Sequence, residues 1–357
     1  QGGLANEIAL VSGQGPTPQT ALNCPEYADI APATIDKDGQ VLGDGCVYPA
    51  ATQTLGDQLS ADGKSWKAYV EDIGNGPAPE ATTCRHPALG TADAEQAPRP
   101  GDAYVTWRNP FVYFHSIVDD SACASDDTGL SQLSFDLTSA ATTPSVSYIV
   151  PNRCHDGSDE PCVPGQPAGL AAADTFLKST VEQIQRSPAY KDGGLIAITF
   201  DQAPATGDGA DTTSCCTTVP FPNLPSTATP ASTAVPSGTL PASTATPAPS
   251  DAVPAVPTPP AATDGAPAST TVPGTTSTPA SGVLPGDGSL PGGGRTGLLL
   301  LSPFVEPGTT NLADSYNHFS LLRSIEDLFG LDHLGYAADP ALPAFDKVVY
   351  NVKAKTK

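Results

Sequence analysis

Apolar residues recur at helical spacing in three stretches of this chain and gather into short runs in two others. LAAADTFLKSTVEQIQRSP (170–188) has the helical period and stops before Pro188, which cannot continue a helix. HFSLLRSIEDLFGL (318–331) places Leu321, Leu322, Ile325, Leu328 and Phe329 on one face, with Gly330 at its end. TLGDQLSADG (54–63) predicts a third helix. GGLIAITFD (193–201) and RTGLLLLSPFV (295–305) read as short buried strands. Strands alternating with helices predict an α/β fold, a mostly parallel sheet covered on both faces.

Between those two strands the pattern disappears. Residues 217–293 are Pro, Thr, Ser and Ala with almost no charge, a text that cannot bury enough apolar surface to offset chain entropy. Proline biases such a stretch toward extended polyproline II, and Ser/Thr/Pro composition also fits a glycosylated, wall-spanning segment. The organisation expected is therefore one domain in two pieces, 1–216 and 294–357, interrupted by a disordered insertion at 217–293.

Composition narrows the class. The 357 residues carry a formal charge of −22, which argues against nucleic acid because no basic stripe exists to neutralise phosphates. No apolar run approaches the roughly 18 residues of a membrane span. The chain has no Met and no signal peptide before Gln1, as expected of a processed product or a fragment. Eight cysteines lie in loop-like text without paired C-x-x-C units, so disulfides in an oxidising compartment are expected rather than a zinc ribbon. Sequence alone leaves connectivity open. Cys24–Cys46, Cys84–Cys123 and Cys154–Cys162 are the pairs expected, because each closes a loop-rich segment, and Cys215 and Cys216 would pair with each other or with another chain.

Candidate chemistry is sparse. Asp201 follows ITF at the carboxyl end of an expected parallel strand, where open α/β sheets place ligands, and its carboxylate suits a divalent cation; a turn Asp closing the strand is the plainer alternative. His318 opens a helix, where it serves as a neutral ligand or donor, or merely as part of the helix start. His155 sits in the acid-rich loop NRCHDGSDEPC, which lacks EF-hand spacing and reads as a solvated disulfide loop. No G-x-S-x-G, no P-loop and no H-x-x-x-H occurs.

Taken in order, several blocks resemble the phosphoesterase family of the alkaline phosphatase superfamily, in its bacterial phospholipase C and acid phosphatase branch. They are GGLANEIALVSGQGPTPQT (2–20), LGDQLSADGKSWKAYVED (55–72), RNPFVYFHSI (108–117), VPNRCHDGSD (150–159), ADTFLKSTVEQIQRSPAYKDGGLIAITFD (173–201), GGGRTGLLLLSPFVEPGT (292–309) and YNHFSLLRSIEDLFGLDHLGYA (316–337). The resemblance implies a three-layer α/β/α sandwich and a secreted or cell-surface bacterial hydrolase of phosphoric esters. Its partners would be a small phosphate ester or a phospholipid head group, with the Ser/Thr/Pro stretch fitting cell-wall association. One divalent metal and a Ser/Thr hydroxyl would act together on phosphorus.

Carried onto this chain, the resemblance puts the nucleophile at Gly3, which has no hydroxyl, and keeps Asn6 and Asn109 of the family blocks. The acidic metal-binding pair becomes Asp201-Gln202, and the His preceding Asn-Pro-Phe becomes Arg108, a cation able to hold phosphate. The family's Glu-Asn metal block would lie before Gln1. Asn6, Arg108, Asn109 and His318 are the expected supporting residues, with Ser12 and Ser60 the nearest replacement hydroxyls. Three readings follow: a metal-assisted phosphoesterase with altered or lost activity, a non-catalytic binding or wall-associated protein on the same fold, and a calcium-stabilised structural protein.

Overall fold

The computed structural model describes residues 2–77, 81–158, 162–204, 209–213, 221–224 and 292–352. Cys215, Cys216 and most of the expected insertion lie outside them.

Chain order begins with helix α1 (Gly3–Ser12). Leu4, Ile8 and Val11 share one face of it and are buried, and Gly13 ends it at φ 69°, the left-handed conformation that glycine adopts without strain. Helix α2 (Leu55–Ala61) starts on a capping box, in which Thr54 Oγ1 accepts from the Asp57 amide and Asp57 Oδ2 accepts from the Thr54 amide. Strand β1 (Trp66–Val70) follows and forms the centre of a three-stranded parallel sheet. Its neighbours are β2 (Asp127–Gly129), in register Ala68↔Asp127, and β3 (Val146–Val150), in register Trp66↔Val146.

Helix α3 (Gly169–Arg186) ends, as its sequence predicts, before Pro188. Strands β4 (Ile196–Thr199) and β5 (Leu298–Leu301) then pair with each other, and helix α4 (His318–Phe329) closes the pattern. Asn317 caps α4 by accepting from the Ser320 amide, and Gly330 terminates it at φ 68°.

The α/β class and the parallel three-stranded sheet agree with the sequence reading. The environment of β4 and β5 does not. They pair antiparallel, Ile196↔Leu301 to Thr199↔Leu298, and share no ladder with the parallel sheet. Nor are they fully buried strands: Leu298 and Leu299 are exposed, and of β4 only Ile196 is buried.

The main core lies where α1 meets α4 and the segment around Phe111–Phe114, with Tyr48 stacked on Phe114 and Trp66 tilted on Phe111. Three disulfides staple the loops, Cys24–Cys46, Cys84–Cys123 and Cys154–Cys162, the pairs expected from the sequence. Just beyond β4 and just before β5, the Ala203 amide donates to Gly293 O (2.7 Å) and the Gly292 amide to Thr212 O (2.7 Å). The two sides of the intervening stretch are therefore clamped to each other, and within it Asn223 accepts from the Gly43 amide and donates to Val41 O. Among the described residues no helix is long and apolar enough to cross a membrane.

Candidate active site

Arg108 ends a single helical turn (Thr106–Arg108) and lies over the Trp107 ring, its guanidinium 4.7 Å from the ring centroid. From there it reaches three carboxylates. Nη1 is 2.8 Å from Asp201 Oδ1 and 3.2 Å from Glu7 Oε1; Nη2 is 2.9 Å from Asp156 Oδ2. Arg153 Nη1 approaches Asp156 at 2.9 Å, so two cations face the group. Asp156 follows β3 and Asp201 follows β4. The segments that follow the two strands thus meet at one guanidinium.

Burial sets the electrostatics. Desolvation raises the pKa of Glu7 well above the usual carboxylate range, against the pull of Arg108, so Glu7 keeps its proton to higher pH. Burial alone would lower the Arg108 pKa; Asp201, Glu7 and Asp156 outweigh it and hold the guanidinium firmly charged. His318, the first residue of α4, is shifted downward by burial, opposed by Asp201 and by a hydrogen bond to the Phe200 backbone. It is therefore neutral near pH 7. Several buried atoms here have no partner among the described residues: Glu7 Oε2, Asp201 Oδ2, Arg108 Nε and His318 Nε2. Unpartnered buried polar atoms are costly, and a cluster of them at one point marks a place for a ligand.

These residues stand at one end of a cavity of about 720 Å³, which Glu7, Arg108, Asp156, Asp201 and His318 all line. The rest of its wall is mostly apolar, from residues 145–151, residues 193–200 and the inner faces of α3 and α4, with Ser147, Thr180 and Ser302 among them.

Of the residues singled out by sequence, Arg108, Asp201 and His318 meet at the cavity. Asn6 lies beside Gly293, and Gln202 is half-buried, and neither lines the cavity. Asn109 turns the other way and donates to Asp127 Oδ2 at 2.8 Å in the core. Ser12 Oγ donates to Ile8 O and Ser60 Oγ accepts from Trp66 Nε1, so neither hydroxyl faces the cluster. Gly3 abuts Asp201 so closely that a Cβ would overlap Oδ2.

Two members escaped the sequence reading. Glu7 shares the apolar face of α1 with Leu4 and Val11, and an acid on a buried helix face was the available signal. Asp156 was assigned to a solvated loop, yet its side chain is 3% exposed because two arginines turn it inward. His155 of the same loop pairs with Glu71 at 2.9 Å instead.

The divalent metal implied by the resemblance does not fit these residues by themselves. Among the described residues, no three His, Asp or Glu donors of this cluster converge on one point, and Arg108 occupies the space between the carboxylates. Among the described residues the one converging group, Cys84, Cys123 and Asp127, has both sulfurs joined in a disulfide.

A parallel-sheet α/β protein with a buried, cation-centred acidic cluster at its strand ends is the class that fold and site define. The Phosphoesterase family model matches residues 2–215, more than half of the chain, and the chain belongs to that family. No curated protein matches it significantly.

Proposed function

We propose that this protein is a secreted bacterial hydrolase of phosphoric esters, with its reaction centre at the acidic end of the cavity. The observation that carries the reading is the buried Arg108 at the strand ends, beside a proton-holding Glu7 and a neutral His318. Arg108 holds the phosphoryl oxygens, exchanging Asp201 for the substrate. Residue 3 has no hydroxyl, so water is the nucleophile. His318 Nε2 takes the water proton as the new P–O bond forms, and Glu7 donates its proton to the departing alkoxide as the ester P–O bond breaks. The products are phosphate and an alcohol. The three disulfides support an extracellular setting. In this reading 1–216 and 294–357 form the catalytic domain, and 217–293 is a cell-wall-facing insertion.

The experiment is release of p-nitrophenol from p-nitrophenyl phosphate and p-nitrophenyl phosphorylcholine, with Mn²⁺, with Ca²⁺ and with chelator. Release that Arg108→Ala and His318→Ala both abolish is the expected result; no release in any arm sinks the hydrolase. Release lost only with chelator would show that a metal joins the site and would overturn the metal-free reading of the cluster. The contact between Gly3 and Asp201 favours a second reading, a non-catalytic binder of phosphate esters. Its signature is a thermal shift with phosphocholine in the absence of turnover.

A further inference from the structure

Away from the cavity, a carboxylate is buried against a disulfide. Asp127 is fully buried, and one of its carboxylate oxygens lies within 4.8 Å of the sulfurs of Cys84 and Cys123. A charge in such a place is costly unless a cation neutralises it. Among the described residues no basic side chain pairs with Asp127. Asn109 donates to its Oδ2 at 2.8 Å, and its Oδ1, also buried, has no partner among the described residues. The carboxyl is oriented through one oxygen and left open at the other, as an outer hydrogen bond orients a metal-binding carboxylate. Nor do the three donors depend on the S–S bond for their positions. The Cys84 amide donates to Asp127 O at 2.9 Å, and Cys123 opens a single helical turn, Cys123–Asp126, that runs directly into β2.

We propose that, once the Cys84–Cys123 bond is reduced, its two sulfurs and Asp127 Oδ1 bind one Zn²⁺, with water in the fourth position. Two thiolates and a carboxylate are zinc donors, and the thiolates disfavour calcium and magnesium. Tetrahedral zinc stands about 2.3 Å from each sulfur and so holds the two about 3.8 Å apart, against about 2.0 Å in a disulfide. The α-carbons of the two cysteines are 5.6 Å apart, so side-chain rotation can open that distance without moving the backbone. The reductant is a dithiol: it is oxidised to a cyclic disulfide, and each cysteine sulfur gains a hydrogen. Both thiol protons pass to solvent as the ion binds, and the ion supplies the positive charge that the buried carboxylate lacks. Cys84 and Cys123 thus join the same loops in two states, covalently in an oxidising medium and through an ion in a reducing one. The inference does not rest on the hydrolase reading.

The test reduces the whole chain with dithiothreitol, removes the reductant under argon, and alkylates with iodoacetamide in the presence and absence of Zn²⁺. Peptide mass spectrometry reads each cysteine. The expected result is that Zn²⁺ slows alkylation of Cys84 and Cys123 by about tenfold or more and leaves Cys154 and Cys162 unchanged. Asp127→Asn should lose most of that shielding. On the unaltered chain, Co²⁺ in place of Zn²⁺ should give the visible bands of tetrahedral cobalt. Equal alkylation with and without Zn²⁺ would overturn the proposal, as would equal shielding of all four cysteines. Shielding that survives Asp127→Asn, or octahedral cobalt bands, would remove the carboxylate from the site and overturn it. A chain that unfolds on reduction and stays unfolded with Zn²⁺ would overturn it too.

Discussion

The α-carbon of Gly3 rests against the Asp201 carboxylate, which Arg108 holds in place at 2.8 Å. Glycine at this point of α1 is thus a packing requirement of the charged cluster. Gly3→Ala should cost about 1–3 kcal/mol, as overpacking does. In an Asp201→Ala background most of that cost should vanish, so a double-mutant cycle by urea denaturation should show coupling of about 1 kcal/mol or more. Additive effects would mean that the two residues do not meet.

Arg108 neutralises carboxylates that are themselves buried. Arg108→Met should destabilise by about 3–5 kcal/mol at pH 7, the usual cost of leaving buried charge uncompensated. At pH 4 the penalty should shrink, because burial raises the pKa of Glu7 and that carboxyl is then neutral. Denaturation at the two pH values checks this, and an equal loss at both would refute it.

Two buried acids away from the cavity give the protein a pH dependence of its own. Desolvation raises Glu326 from 4.5 to about 8 and Asp127 from 3.8 to about 7, each partly opposed by a hydrogen bond, from the Leu334 amide and from Asn109 respectively. The folded state holds these protons above the pH at which the unfolded chain releases them. Their stabilisation is complete below the unfolded value and is lost as pH rises, by about 1.4 kcal/mol per group per pH unit. Glu326→Gln should flatten the decline between pH 4.5 and about 8, and Asp127→Asn that between pH 3.8 and about 7, in melting curves taken across the range.

The lowered pKa of His318 fixes one limb of any activity profile. Acting as a base, it should give a rate that falls on acidification only below the ordinary histidine range, read from kcat against pH of the unaltered protein. A rate that rises with acidification through the same region would rule this role out.

The disulfides differ in the loops they close, 39 residues for Cys84–Cys123 and 8 for Cys154–Cys162. Chain-entropy arguments give about 4 and about 2.5 kcal/mol. Replacing each pair by serines should therefore lower the guanidinium midpoint more for Cys84/Cys123 than for Cys154/Cys162.

Much of the fold could be read directly from side-chain pattern. The stops of α3 and α4 lie at Pro188 and Gly330 because those residues act locally, and the α/β alternation follows from period alone. The pairing of β4 with β5 could not be read, since it joins residues on either side of a long patternless stretch. In the cluster, Arg108, Asp201 and His318 were legible as departures from, or survivors of, family blocks. Glu7 and Asp156 were not, because each owes its place to the distant Arg108: a charge on an apolar helix face and an acid in an acidic loop look ordinary until a guanidinium is seen between them.

The clamp formed by Ala203 with Gly293 and by Gly292 with Thr212 ties together the two sides of the stretch between them, and within that stretch Asn223 is itself bonded to Gly43 and Val41, so an insertion that spares the host belongs beyond Asn223. Doubling the length of a tethered loop costs only about 0.6 kcal/mol. The site is therefore a natural socket for grafted cargo: a fluorescent reporter or affinity handle spliced there should leave the melting behaviour of the host nearly untouched.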